Sequence, residues 1–106
     1  MNEEKRHHAR VKMRVPVEMR TPNENAIHAE TTDLSLSGFY VEMLFTLEVG
    51  TRLDITLRLG DATIVAVGEV VTCDRTVGNG IRFTRILPED KAELERFLQA
   101  AAAQSQ

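Results

Sequence analysis

One cysteine and no tryptophan in 106 residues remove two common anchors of a small fold. Cys73 cannot close an internal disulfide, and it stands in the apolar run VGEVVTC with no CxxC partner. A disulfide scaffold and a cysteine metal knuckle are therefore excluded, and Cys73 reads as a small buried hydrophobe. Aromatic residues are equally scarce. Four phenylalanines and one tyrosine, mostly at core-like positions, leave few platforms on which the bases of a nucleic acid polymer could stack. No apolar run approaches the roughly 18 residues that a membrane helix needs. The N-terminus, MNEEKRHHAR, has charges but none of the apolar stretch of a secretory signal. The expectation is a cytoplasmic protein with no membrane insertion. At 42% hydrophobic and 27% charged residues, the chain has the composition of one globular domain with one modest core.

Charge is plentiful and unevenly placed. The formal net charge is -3, yet KRHHARVKMR, residues 5–14, holds five positive side chains and two histidines. Residues 1–20 carry six basic against three acidic residues, and the remainder carries seven against thirteen. Positive potential is thus concentrated in one segment of an acidic body. That distribution fits a local anion site better than a long basic face for nucleic acid.

Hydrophobic periodicity gives the fold class. Val11, Met13, Val15, Val17 and Met19 alternate with Lys12, Arg14, Pro16 and Glu18, the pattern of a half-buried strand over 11–19. Pro16 lacks a backbone donor, so this strand is expected at an edge or with its outward-facing N–H at that position. TPNEN, 21–25, is a turn by composition. A second strand follows over 26–34, and Gly38 opens a third, FYVEM, at 39–43. Leu53, Ile55, Leu57 and Leu59 define a fourth, and Gly60-Asp61 is a two-residue hairpin signal. The fifth covers 62–74, with Gly68 marking a bulge or barrel corner. RTVGNG, 75–80, reads as a turn before a sixth strand, IRFTRI. Helical spacing appears only after Pro88, where Leu94, Phe97, Leu98 and Ala101 form one apolar stripe. Six strands with short turns and no crossover helix specify an all-β, six-stranded antiparallel barrel with a C-terminal α-helix. The expected organisation is an N-terminal segment over 1–10, the barrel and helix over 11–99, and a frayed tail over 100–106.

Several side-chain groupings fail as sites. His7 and His8 diverge on extended backbone and have no third ligand at a useful spacing, and His28 with Glu30 makes only half a metal site. Ser35, Asp33 and His28 contain the atoms of a hydrolase triad without a nucleophile elbow or oxyanion hole, so no enzyme is expected. In GNGIRF, Phe83 stands where a dinucleotide fingerprint needs its third glycine, and no βαβ unit surrounds it.

Two patterns do make chemical sense together. Arg6 and Arg10 form RxxxR just ahead of the first strand, and arginine forks grip phosphates and the Hoogsteen edge of guanine bidentately. Asp33-Leu34-Ser35-Leu36-Ser37-Gly38 forms DxSxxG where one strand turns into the next. There a carboxylate can accept the N1 and N2 protons of guanine, a hydroxyl can bond base or phosphate, and a glycine lets a ligand approach the backbone.

With these motifs the chain resembles the PilZ domain family, bacterial receptors of cyclic di-GMP, over nearly its whole length. RHHAR, DLSLSG, the glycine-flanked GNGIRF and the helix after LPED carry the resemblance. It implies a six-stranded barrel in which Arg6 and Arg10 clasp guanines and phosphates from an N-terminal loop. Asp33, Ser35 and Gly38 would form the barrel half of that site. Lys5 occupies the family position associated with how many ligand molecules stack there. The implied function is a non-enzymatic, stand-alone effector that needs no cofactor and signals to a downstream protein partner when its N-terminal segment orders. The alternative is a PilZ-like protein-protein adaptor with weak or no nucleotide binding.

Overall fold

A computed structural model describes residues 9–23 and 26–104. Lys5, Arg6 and the His7-His8 pair lie outside the described residues. The elements are β1 (Val11–Lys12), β2 (Pro16–Arg20), β3 (Ala26–Ser35), β4 (Gly38–Glu42), β5 (Arg52–Leu59), β6 (Ala62–Asp74), β7 (Gly78–Ile86) and α1 (Pro88–Gln104). Every pairing is antiparallel. Taken in order, β2, β3, β4, β7, β6 and β5 each pair with the next, and β5 pairs back to β2. This ring is the six-stranded barrel that the alternation and turn signals specify, and full closure leaves none of the six with an open edge.

The strand expected over 11–19 is present in two pieces, β1 and β2, lying end to end along β3. The interruption has an identifiable cause in Thr31, which is fully buried. Its hydroxyl accepts the Val15 N–H at 3.0 Å and donates to the Met13 carbonyl at 2.8 Å. A side chain thereby stands in for a ladder bond, and the backbone kinks around it. Pro16 opens β2 opposite Glu30, before the pairing with β5 begins at Val17. Its missing N–H therefore costs no rung on that side, and the strand is a central one, not an edge.

Alternation decides the core. Val15, Val17 and Met19 point inward, as do Leu53, Ile55, Leu57 and Leu59 from β5, with Leu34, Phe39, Val41, Ile64, Val70 and Ile81 completing the filling. Lys12 and Arg14 face solvent together. Gly60 takes φ 68° in the two-residue hairpin, a left-handed conformation that favours glycine. At Gly68 the β6–β7 register shifts. A Cβ there would come within 2.6 Å of the Ile55 side chain and 2.8 Å of the Arg82 carbonyl oxygen, so the bulge needs glycine.

Three expectations need correction. The turn read over 75–80 ends sooner, because Gly78, Asn79 and Gly80 already belong to β7 and are buried. Asn79 has no exposed surface and satisfies its amide by accepting from the Leu47 N–H at 2.8 Å and donating to the carbonyls of Leu47 at 2.9 Å and Thr72 at 3.1 Å. Turn-like composition here encodes close strand contact and a pinned loop. Cys73 is half-buried, since it lies near the solvent end of β6 beyond a second register shift. The helix includes residues 100–104, because alanine is the best helix former and AAAQ extends α1.

The helix closes one end of the barrel. Leu94 and Leu98 are buried, with Phe97 packed beside them. Asp90, in the first helical turn, accepts the Val65 N–H at 3.2 Å. That bond fixes the helix start against β6 where β7 has ended.

Candidate functional site

Arg10, the described arginine of RxxxR, meets the DxSxxG motif on the outer face of the barrel. β1 pairs with β3 so that Lys12 lies opposite Asp33, which places Arg10, two residues earlier, at the same end of β3. Arg10 donates to an Asp33 carboxylate oxygen, joining residues 23 positions apart. The Arg10 side chain is 58% exposed and that of Asp33 only 24%, so the carboxylate is the seated partner and the guanidinium the accessible one. This is an ion pair in solvent, a class worth little to stability.

Ser35 and Gly38 build the turn beside it. Ser35 is buried, and its hydroxyl accepts the Ser37 N–H at 3.1 Å, meets the Ser37 hydroxyl at 3.0 Å and donates to the Gly38 carbonyl at 3.2 Å. The hydroxyl is thus engaged within the turn, and Ser37 carries the more exposed oxygen of the pair. Gly38 sits at φ 157°, and a Cβ on it would lie 1.9 Å from the Ile81 carbonyl oxygen of β7. The glycine allows β7 to cross close beneath the turn, where the Phe83 N–H donates to the Ser37 carbonyl at 2.8 Å.

Arg10, Asp33, Ser37 and Gly38 line one open depression of about 350 Å³. Tyr40, Thr72, Gly80 and Arg82 line it too, and none of these four stands in RxxxR or DxSxxG. Register explains their arrival. Asp33 lies opposite Tyr40, Tyr40 opposite Gly80 and Gly38 opposite Arg82, so neighbouring strands deliver one outward row beside another. Arg82 approaches Glu69 of β6 at 3.5 Å and is otherwise exposed. Tyr40 donates its phenolic proton to Asp74 at 2.7 Å. That bond, then burial, then the Asp74 charge push the phenol up to about 12 from its ordinary value near 10. In sequence Tyr40 was visible only as a position between the core residues Phe39 and Val41, while Arg82 stood inside GNGIRF, a stretch read for its glycines and its final strand.

A second hollow of about 600 Å³ lies at the other end of β3 and contains none of the motif residues. Ile27, Met43, Leu44, Phe45 and Leu47 line it. Among the described residues no group of three His, Cys, Asp or Glu side chains is arranged to hold a metal ion, and no helix is long and apolar enough to cross a membrane.

The PilZ domain model matches residues 4–100, and the chain belongs to that family. No curated protein matches it in sequence. Among solved structures, the Bacillus subtilis inhibitor of motility, MotI/DgrA, is similar with a TM-score of 0.84 at 15% identity. That match covers 96% of this chain and 53% of the other, so the chain spans about half of MotI/DgrA. The PilZ domain of YcgR from Escherichia coli, determined with c-di-GMP, has a TM-score of 0.78 at 15% identity and covers 95% of this chain and 94% of that one. The PilZ domain of CeSA from a cellulose-synthesizing bacterium has a TM-score of 0.70 at 18% identity, covering 87% and 96%.

Proposed function

We propose that the protein is a cyclic di-GMP-binding effector that performs no catalysis of its own and works in the cytoplasm. The observation that carries this reading is the meeting of Arg10 and Asp33 beside Gly38 on one depression. Family membership and the similarity to a YcgR domain determined with c-di-GMP point the same way. The ligand offers two phosphates and two guanines. Arg10 and Arg6 supply planar forks for phosphate and for the guanine Hoogsteen edge, while Asp33 accepts from the guanine N1 and N2 protons. Ser37 and the turn backbone at Gly38 are the adjacent polar surface, with Ser35 holding the turn in shape. Lys5 adds a further positive charge next to Arg6 in the sequence.

In the free protein Arg10 and Asp33 satisfy each other, so the ligand must replace that contact with better ones. Binding then fixes the segment ahead of Val11 and changes the surface offered to a partner. Titration calorimetry with cyclic di-GMP, cyclic di-AMP and GMP tests the assignment. Saturable heat with the first and at least tenfold weaker binding of the others supports it, and no heat with cyclic di-GMP removes it. Hydrogen exchange over residues 2–12 tests the ordering step, which requires slower exchange at saturating ligand.

One observation favours the adaptor reading as a companion. Leu44, Phe45 and Val49 are 68%, 84% and 61% exposed on the loop between β4 and β5, an apolar display of the kind that marks protein contacts. The Leu47 backbone within that loop is pinned by Asn79, so the display is held in place from below.

A further inference from the structure

The depression contains a two-by-two patch of paired β4 and β7 positions with an uneven distribution of side chains. On β4 they are Gly38 and Tyr40; on β7 they are Arg82, opposite Gly38, and Gly80, opposite Tyr40. Tyr40 and Arg82 therefore stand on one diagonal and two glycines on the other. Diagonal neighbours on one sheet face are roughly 7–8 Å apart. Aromatic and planar groups pack at about 3.5–4.0 Å, so walls rising from positions at that spacing would admit one planar layer between them. At Gly38 the floor is the close β4–β7 backbone, over Gly80 it is the Thr72 side chain, which takes the space a Cβ would need, and Asp33, opposite Tyr40, closes one side.

The Tyr40 wall is held in place. The Tyr40 ring leans over Gly78, where a Cβ would come within 2.7 Å of Cε2 and 2.8 Å of the phenolic oxygen. Its hydroxyl is tied to Asp74. The lean opens the side toward Arg82, whose exposed guanidinium reaches toward Glu69 at 3.5 Å. An aromatic ring and a guanidinium plane are the two protein groups on which nucleic acid bases stack.

We infer that Tyr40 and Arg82 bracket one guanine base of the ligand, with Asp33 reading its edge and Asp74 fixing the ring. The inference rests on the cyclic di-GMP reading, and it adds the residues that would make the site prefer a purine. A pyrimidine offers the slot less stacking area, so discrimination resides in the walls while charge attraction resides in Arg10 and its neighbours.

Tyr40 is the sole tyrosine and the chain has no tryptophan, so emission from the native protein reports on this wall alone. Cyclic di-GMP should quench it with the same midpoint that calorimetry gives. Tyr40→Leu should weaken cyclic di-GMP by about tenfold or more and cyclic di-UMP much less, collapsing the purine preference. Tyr40→Phe keeps the ring and should retain binding within a few-fold, which separates stacking from a misfolded strand. Arg82→Ala should show the same loss of preference as Tyr40→Leu. If the wild-type chain binds no cyclic di-GMP, the functional reading itself fails. If it binds, and Tyr40→Leu and Arg82→Ala keep both affinity and base preference with no quenching in the native protein, the bracket is overturned.

Discussion

Replacing Gly38 with alanine separates two jobs that the same glycine could have. A Cβ at this position would sit 1.9 Å from the Ile81 carbonyl oxygen and 3.0 Å from the Arg82 Cα. Ordinary C···O contacts are near 3.3 Å, so β4 and β7 would have to part by about 1.4 Å at this point. The bond of 2.8 Å from the Phe83 N–H to the Ser37 carbonyl lies in the way of that movement. Overpacking costs about 1–3 kcal/mol, a lost hydrogen bond about 1 kcal/mol, and φ 157° on an L-residue a further 1–3 kcal/mol. Gly38→Ala should therefore destabilise by about 4 kcal/mol, a large share of the roughly 5–15 kcal/mol available to such a domain. Gly60→Ala is the matched control: φ is 68°, but no atom lies within 4 Å of the added Cβ, so only the conformational cost of about 1 kcal/mol applies. Denaturant unfolding followed by circular dichroism gives both values. If Gly38→Ala unfolds within about 1 kcal/mol of the native chain yet no longer binds ligand, the strand-crossing argument is wrong and the glycine serves ligand access alone.

Other outcomes follow from the same contacts. Asp33→Ala should cost on the order of 2 kcal/mol in cyclic di-GMP binding but under about 1 kcal/mol in unfolding, since its ion pair with Arg10 is largely solvated. Arg10→Lys keeps the charge and loses the planar fork, so affinity should fall roughly tenfold even at low salt, while Lys12→Ala should weaken binding only slightly; equal small losses at two salt concentrations would reduce the site to a basic patch. Thr31→Val leaves the Val15 N–H and Met13 carbonyl without their buried partner and should cost about 1–3 kcal/mol by denaturant midpoint; a neutral result would mean that the β1–β2 kink does not depend on the hydroxyl. The Tyr40 phenol, raised to about 12, should titrate by ultraviolet absorbance well above pH 10 and fall toward its ordinary value in Asp74→Ala. Because the unfolded chain loses this proton first, the contribution to stability is whole below pH 10 and is lost as pH rises from 10 to 12.

What the sequence made legible was whatever a period of two can carry. Leu53 to Leu59 alternate without interruption, and all four are buried in β5. Gly68 and Gly60 likewise announced a bulge and a hairpin because each glycine answers a local backbone need. Thr31 was silent, since a threonine in a strand looks the same whether its hydroxyl meets solvent or replaces a ladder bond. GNG misled for a related reason: composition cannot tell a glycine that turns the chain from one that lets a tyrosine ring or a threonine come close. At the site, DxSxxG was visible as a string, but the inward hydroxyl of Ser35 depends on the three-dimensional turn. Tyr40 and Arg82 needed the register of three strands, which no spacing within one strand contains.

β1 is only two residues long, and its consequence is out of proportion to its length. By pairing with β3 next to Asp33, it places the Arg10 guanidinium near that carboxylate through a tether of two residues, about 7 Å at full extension. The carboxylate therefore faces an intramolecular competitor whose effective concentration is set by chain geometry and does not fall on dilution. Any ligand that claims Asp33 works against the same standing occupancy in a dilute assay as in a crowded cell, and its apparent affinity is lowered by one constant factor. Moving Arg10 further from β1 by inserted residues would relax that factor, and the two-residue strand thus acts as a threshold setting for how much ligand is enough.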